Sequence, residues 1–279
     1  VGLIGWPVEH SLSPAMHNAA FEALGFGWQY ELLPVPPGQL GAALAGLRTD
    51  ELRGANVTVP YKSAVMTFLD EIDDAAGAIG AVNTITVQGG RWRGHNTDAA
   101  GFVRALGEVG LEAAGQRALL LGAGGAARAV AYALAGAGCA VAIYNRTGMR
   151  AAELVHDLQG LSPNAPVAWV PDSAALERMD LARLDLLVNA TAAGMWPNSK
   201  DTPWPEELTL PSHWTVFDLV YNPLETRLLR QARRAGAKTI DGLGMLVWQG
   251  ALAFELWTGR VPPVDLMRAA ALEALGTRH

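Results

Sequence analysis

Ala118-Leu119-Leu120-Leu121-Gly122-Ala123-Gly124-Gly125-Ala126-Ala127-Arg128 carries the clearest fold signal in the sequence. An apolar run of strand length breaks into glycines and restarts as an alanine-rich helix. That is the strand–turn–helix of a dinucleotide site, in the form G-x-G-x-x-A. Gly122 permits the tight turn, Gly124 lets a pyrophosphate approach the backbone, and Ala127 stays small where helix packs on sheet. With Ala123, Gly125 and Ala126 they form a helix start that offers free N–H groups and a positive dipole end to phosphates. A plain glycine turn has the same local look, so the neighbouring residues must decide.

About twenty residues on, where the ribose is read, Val141-Ala142-Ile143-Tyr144 forms a second strand. It ends in Asn145-Arg146-Thr147 and carries no acidic residue there. A carboxylate at this point would hold a ribose 2′-OH and repel a 2′-phosphate; Arg146, with Arg150 one turn into the next helix, does the opposite. The pattern predicts NADP over NAD.

The 279 residues suit two domains better than one, and half of them are hydrophobic against 17% charged, an ordinary globular composition. No apolar run reaches membrane-span length and no charged-then-apolar leader precedes the first strand. Val1 falls inside that strand, so a few native residues are expected before it. The net charge of −6, with no basic tract, argues against nucleic acid. It also requires local cations for an anionic cofactor. Cys139 is the single cysteine, set among apolar residues and read as core. An intrachain disulfide and a cysteine metal cluster are thereby excluded, which fits the cytoplasm.

Val1 to Ile4 reads as a strand running into Gly5-Trp6-Pro7. Ser13 before Pro14 reads as an N-cap with proline at the first helical position, opening a helix to about Gly25. Capping leaves Ser11 unexplained; two hydroxyls beside a helix N-terminus make a seat for a carboxylate. Trp28 to Val35 reads as a strand and Gly38 to Leu47 as a helix. Arg53 to Pro60 is a strand broken by proline, with Thr58 and Lys62 at its end, where open α/β sheets bind ligands. Helices are expected over 63–69 and 71–78. Thr84 to Val87 and Arg91 to Gly94 form a hairpin about Gly89-Gly90. Asn96 or Thr97 caps the next helix, whose first turn carries Asp98. Beyond it, strands near 118–121, 140–144, 184–188, 214–218 and 237–240 alternate with helical pattern, the signature of a parallel sheet. The segment from Asp241 opens a long helix to about Trp257, and a last helix ends near Leu275. This pair has no strand of its own and is expected to pack back on the first domain.

Taken together, these clusters strongly resemble the shikimate dehydrogenase family, over essentially the whole chain and in the family's order. The matching motifs are Gly5-x-Pro7-x-x-His10-Ser11-x-Ser13-Pro14, Asn56-Val57-Thr58-Val59-Pro60-x-Lys62, Gly80-Ala81-Val82-Asn83-Thr84 and Asn96-Thr97-Asp98-x-x-Gly101. The glycine turn, Asn145-Arg146-Thr147, Asn189-Ala190-Thr191 and Gln249-Gly250-Ala251 continue the match. The resemblance implies a substrate domain (1–101 plus 240–279) with a mixed sheet. It implies a Rossmann-type, doubly wound parallel-sheet NADP domain (102–239), with the C-terminal helices returning to the first. It implies reversible NADPH-dependent reduction of 3-dehydroshikimate to shikimate. Ser11 and Ser13 would take the substrate carboxylate, with Tyr221 assisting. Thr58, Lys62, Asn83, Asp98 and Gln249 would hold the ring oxygens. Lys62 and Asp98 become the catalytic pair, Lys62 as general acid and oxyanion stabiliser and Asp98 orienting it. Thr191, Leu219 and Gly242 join residues 122–126, Asn145, Arg146, Thr147 and Arg150 in the cofactor site. The expected partners are small molecules, without nucleic acid or membrane; a homodimer is compatible with the pattern.

Three rivals compete. An NAD-preferring quinate/shikimate dehydrogenase is opposed by Arg146. A methylenetetrahydrofolate dehydrogenase-like enzyme has no use for Ser11 and Ser13, and an inactive shikimate-binding sensor has none for both Lys62 and Asp98. The six histidines are scattered, with no H-E-x-x-H spacing, and are assigned neither metal nor catalysis. His10 and His17 are expected to pack around the first helix, and the nine tryptophans to belong to the core.

Overall fold

The computed structural model describes residues 1–161, 165–205 and 207–277. The chain divides into two units, one of residues 1–101 with the C-terminal segment from Val247, the other Phe102–Leu246. The return falls inside a helix at Val247, not at residue 240.

In the first unit, β1 (Gly2–Gly5) leads to α1 (Ser13–Ala23), β2 (Glu31–Pro34), α2 (Leu40–Leu47) and β3 (Gly54–Val57). After a 3-10 turn at Ala64–Phe68 come β4 (Glu71–Ile72), α3 (Asp74–Ile79), β5 (Thr84–Gln88), β6 (Arg91–His95) and the start of α4 (Asp98–Glu108). The sheet order is β2-β1-β3-β5-β6-β4. β1 pairs in parallel with β2 and β3, whereas β5 runs antiparallel to β3 and β6. Gly89 and Gly90, at φ 56° and 77°, make the β5–β6 hairpin turn.

Three local expectations fail here. Ser13 is the first helical residue of α1, not its cap; Leu12 precedes it in a helical conformation, and Ser13 N–H donates to Ser11 Oγ at 3.1 Å. Residues 63–69 form only the 3-10 turn. No helix covers 71–73, because Glu71 and Ile72 pair with Arg93 and Gly94. Asp73 then caps α3 by accepting from Ala76 N at 2.7 Å.

The second unit contains β7 (Arg117–Leu121), α5 (Gly125–Gly136), β8 (Ala140–Tyr144), α6 (Gly148–Leu161), β9 (Val167–Val170) and α7 (Ser173–Glu177). It continues with β10 (Leu186–Asn189), β11 (Thr215–Asp218), α8 (Arg227–Arg234), β12 (Lys238–Ile240) and the start of α9 (Leu243–Thr258). The sheet is parallel in the order β12-β11-β10-β7-β8-β9. Renumbered within the unit and read from the β9 edge, this is 3-2-1-4-5-6, the doubly wound dinucleotide-binding order. β9 is the strand the sequence reading lacks. It forms the sheet edge on β8, and its exposed Ala168 and Trp169 break the buried apolar run that marks an inner strand. Trp204 and Trp214 fill the core beside Leu119, Leu187 and Leu228, and their indole N–H groups donate to Leu208 O and Leu181 O. Trp6, Trp169 and Trp196 are instead exposed, so the tryptophans are not uniformly core.

The C-terminal helices belong to the first unit for a visible reason. Trp257 of α9 donates from Nε1 to Ile85 O at 2.9 Å, covering Gly54, where a Cβ would lie 2.4 Å from that nitrogen. The last helix, α10 (Val264–Gly276), packs on α1. His17 of α1 is fully buried between Tyr30 (ring centroids 4.5 Å apart, stacked) and Trp257, with no hydrogen bond to either ring nitrogen. His10, in contrast, is exposed.

Burial, and secondarily the positive N-terminus, push the His17 imidazole down to about 3 from the usual 6.5. The folded pKa lies below the unfolded one, so protons bind the unfolded chain first. Stability is complete above about pH 6.5 and falls as pH drops toward 3, by up to about 1.4 kcal/mol per pH unit. His17→Phe removes both the buried unsatisfied nitrogens and this linkage. Denaturant unfolding at pH 7.5 and 5 should show the variant losing about 2 kcal/mol less than the parent between the two. An identical loss in both proteins contradicts the assignment.

Candidate active site and dinucleotide site

In the first unit, chemistry gathers at the ends of β3, β5 and β6. The turn after β3 carries Lys62, whose backbone O accepts from Val82 N at 2.7 Å and so ties the turn to the start of β5. Lys62 Nζ lies 2.6 Å from Asp98 Oδ2, the two side chains being 14% and 5% exposed. Asn96, not Thr97, caps α4: its Oδ1 accepts from Asp98 N and Ala99 N. Asp98 is thereby fixed in the first turn of α4, where the helix dipole favours its charge.

Asn83 is the hub. Its Nδ2 is 2.9 Å from Asp98 Oδ1, 2.9 Å from Thr97 Oγ1 and 3.3 Å from Gln249 Oε1. Its Oδ1 accepts from Thr97 N at 2.7 Å, which fixes the amide orientation. Behind it, Tyr30 Oη donates to Asn56 Oδ1, and Asn56 Nδ2 donates to Asn83 O and Thr84 Oγ1. Lys62, Asn83, Asp98 and Gln249, four of the residues singled out from sequence, thus form one hydrogen-bonded set. A Lys–Asp pair this sheltered is weak evidence for stability, because desolvation opposes its attraction. It is an apt device for holding a cation and a proton at a reacting oxygen.

Gln249 is held by backbone proximity. A Cβ on Gly101 would lie 2.8 Å from Gln249 N and 3.0 Å from its Cα, so α4 and α9 approach closely only because residue 101 has no side chain. Gly101→Ala should cost about 1–3 kcal/mol by overpacking. It should also raise the KM of any ligand that this hydrogen-bonded set holds, because Gln249 must move. A thermal melt with steady-state kinetics checks both; wild-type values of each would contradict the close approach.

Ser11 and Ser13 meet at the N-terminus of α1, both buried. Thr58 opens the turn that leads to Lys62, donating its N–H to Ile4 O and accepting at its own O from Tyr61 N. The segment after β1, which bears the serines, and the turn after β3 leave the carboxyl ends of adjacent parallel strands. This is where open α/β sheets present ligand-binding loops. Tyr221 lies in the second unit, in the loop after β11.

In the second unit the glycine turn has the features a dinucleotide needs. Gly122 has φ 115°, and a Cβ there would meet Ala190 O at 3.0 Å. Gly124 is the N-cap of α5, without a side-chain cap, and has open space on its Cβ side. The first N–H groups of α5, from Gly125 and Ala126 onward, are therefore available to an anion. Ala127 is fully buried against the sheet. Past β8, Asn145 Nδ2 donates to Thr147 O, and Arg150 N donates to Thr147 O as α6 begins. Arg146 and Arg150 are exposed, and neither has a carboxylate partner among the described residues. Two unpaired guanidiniums beside a ribose-reading loop suit a 2′-phosphate. Leu219 and Gly242 meet: a Cβ on Gly242 would fall 2.1 Å from Leu219 O. These residues fit NADP.

Sequence reasoning passed over Asn56, Tyr30, Asn189, Asp218 and Thr226. Asn56, Asn189 and Asp218 are polar residues inside or at the end of buried strands, where burial without a partner is costly. That anomaly is the signal that could have found them.

Among the described residues no group of three metal-ligating side chains occurs, and no helix is long and apolar enough to cross a membrane. Three family models match the chain: the shikimate dehydrogenase substrate binding domain over residues 3–85, shikimate / quinate 5-dehydrogenase over 105–195, and the shikimate 5′-dehydrogenase C-terminal domain over 242–272. The shikimate dehydrogenase (NADP(+)) of Moorella thermoacetica is 52% identical over 99% of this chain and 93% of its own length. That of Methanopyrus kandleri is 49% identical over 99% and 95%. Among solved structures, Thermus thermophilus shikimate 5-dehydrogenase in complex with NADP(H) and shikimate is 44% identical, with a TM-score of 0.86 over 98% of both chains. Corynebacterium glutamicum quinate dehydrogenase in complex with NAD is 36% identical, with a TM-score of 0.87 over 98% of both.

Proposed function

The chain belongs to the shikimate dehydrogenase family, and from that premise we propose that it interconverts 3-dehydroshikimate and shikimate with NADPH and NADP+. It is an NADP-dependent oxidoreductase acting on a CH–OH group, a step of aromatic amino-acid biosynthesis. The observation that carries the chemistry is the Lys62–Asp98 pair, 2.6 Å apart and held by Asn83.

When bound, the nicotinamide supplies or accepts the hydride. The protein's own task is then charge and proton management at one substrate oxygen. Lys62 Nζ carries three N–H donors. One engages Asp98, leaving donors for the carbonyl oxygen as it becomes an alkoxide, which the ammonium stabilises and protonates. In the oxidative direction the hydroxyl proton passes to the same pair. Asp98 keeps Lys62 aimed, Asn83 keeps Asp98 aimed, and Gln249 and Thr58 address the remaining ring oxygens. Ser11 and Ser13, at the positive end of α1, receive the carboxylate, with Tyr221 as a further contact.

In the second unit, Gly122, Ala123, Gly124, Gly125 and Ala126 would cradle the pyrophosphate. Asn145, Arg146, Thr147 and Arg150 would take the 2′-phosphate, and Thr191, Leu219 and Gly242 the remaining approach. The first unit is thus the substrate domain and the second the NADP domain. The same reading places the enzyme in the cytoplasm, consistent with a single, buried cysteine. Incubating the protein with 3-dehydroshikimate and NADPH and separating the products by chromatography tests the proposal. Shikimate should accumulate in step with NADP+; consumption of NADPH without shikimate would overturn it.

A further inference from the structure

β10 ends in Asn189 and β11 in Asp218, register partners across the parallel sheet and both fully buried. Asn189 Nδ2 donates to Asp218 Oδ1 at 2.8 Å, and Val220 N donates to the same oxygen at 3.1 Å. The Thr226 hydroxyl donates to Oδ2 at 2.6 Å while accepting from Leu229 N, so it caps α8 with its lone pairs and commits its proton to Asp218. All three partners are donors, and only an acceptor fits the centre.

The other side of Asn189 faces the ligand loop. Its Oδ1 accepts from Thr191 N at 2.9 Å and from Thr191 Oγ1 at 2.7 Å, and Thr191 Oγ1 accepts in turn from Ala193 N. Thr191 also abuts the glycine turn: a Cβ on Gly122 would lie 3.3 Å from its Cγ2. On the Asp218 side, the bond to Val220 N fixes the strand exit on either side of Leu219, whose O faces Gly242. A buried acid is a poor way to hold a sheet together. Desolvation raises its pKa to about 6 against the three hydrogen bonds that lower it, and apolar pairs of similar volume commonly do as well for stability. What the acid adds is direction: it forces the Asn189 amide to turn its nitrogen inward and its oxygen toward Thr191.

We propose that Asp218 is a positioning residue for the dinucleotide site, acting through Asn189 on Thr191 and through Val220 on Leu219. It sets the loops after β10 and β11 at the switch point of the sheet, beside the glycine turn. The inference rests on the NADP reading above.

The test uses the full chain. Asp218→Asn keeps the shape and turns one acceptor into a donor among donors. Calorimetric Kd for NADP+ should rise about tenfold or more, with KM for NADP+ following and KM for shikimate changing less than about twofold. Adding Asn189→Asp exchanges donor and acceptor between the strands but leaves Val220 N facing an amide nitrogen, so it should recover part of the loss, through Thr191. Combined with Thr191→Val, Asp218→Asn should be non-additive, as residues in one network are. A folded Asp218→Asn protein with parental NADP+ affinity would overturn the inference. So would equal losses toward both ligands without rescue by the exchange. Should Asp218→Asn not fold, Thr226→Val removes the bond to Asp218 together with the side-chain cap that accepts from Leu229 N. It should weaken NADP+ about two- to threefold with shikimate unaffected, and unchanged NADP+ affinity would again overturn the inference. Wild-type turnover, measured alongside, separates the two levels. Its absence with shikimate and NADP+ refutes the enzymatic reading, while the affinities still report on Asp218.

Discussion

Lys62→Ala is expected to lower kcat for shikimate oxidation about 10²–10⁴-fold while KM for shikimate moves far less. Lys62 is the one cation in the hydrogen-bonded set of the first unit, and Asp98 is its direct partner. Without the ammonium, the alkoxide that precedes hydride departure loses its counter-charge, and the hydroxyl proton loses its route. Under the proposed roles Asn83, Gln249 and Thr58 would remain and keep the ground state bound. The effect therefore falls on the transition state. Steady-state kinetics on a variant whose melting temperature is shown to be near wild type makes the measurement. A rise in KM with kcat unchanged would make Lys62 a binding residue only.

Arg146→Ala should lower kcat/KM for NADP+ by about 10–100-fold and leave that for NAD+ within about twofold. This is the expected weight of one charge-assisted contact to a 2′-phosphate. Arg146 is exposed and has no carboxylate partner among the described residues, so its removal costs the fold little and the change reads cofactor choice. Among the relatives, the quinate dehydrogenase of Corynebacterium glutamicum was solved with NAD and shares this fold. Fold alone therefore does not choose the cofactor, and the residues after β8 must. An equal fall for both nucleotides would contradict this.

The legible part of the chain is where backbone demand and residue type coincide. Gly122 and Gly124 stand where a left-handed φ and an open approach are needed, and the buried strands of the parallel sheet announce themselves as apolar runs. Lys62 stands out as a polar residue just past a strand end, whereas Asp98 alone reads as a helix-start acid and Asn83 enters only with the family resemblance. What stayed hidden depends on pairing across distance. β4 is two residues long and exists only because β6 accepts it. β9 is an edge strand whose exposed residues blur its period. Ser13 reads as a cap from its place before Pro14, yet Leu12 is already helical and Ser11 takes the Ser13 N–H. Asn189 and Asp218 look like ordinary strand ends until the sheet register places them side by side.

The initial rate of oxidation of shikimate by the purified protein, followed by the absorbance of the reduced nicotinamide with NADP+ and NAD+ in parallel, decides between an enzyme and a binding protein. Turnover is expected with kcat/KM at least about tenfold higher for NADP+, the preference that a 2′-phosphate held by Arg146 would give. No turnover with either nucleotide, alongside calorimetric binding of shikimate, would contradict it and leave a binding protein in place of an enzyme.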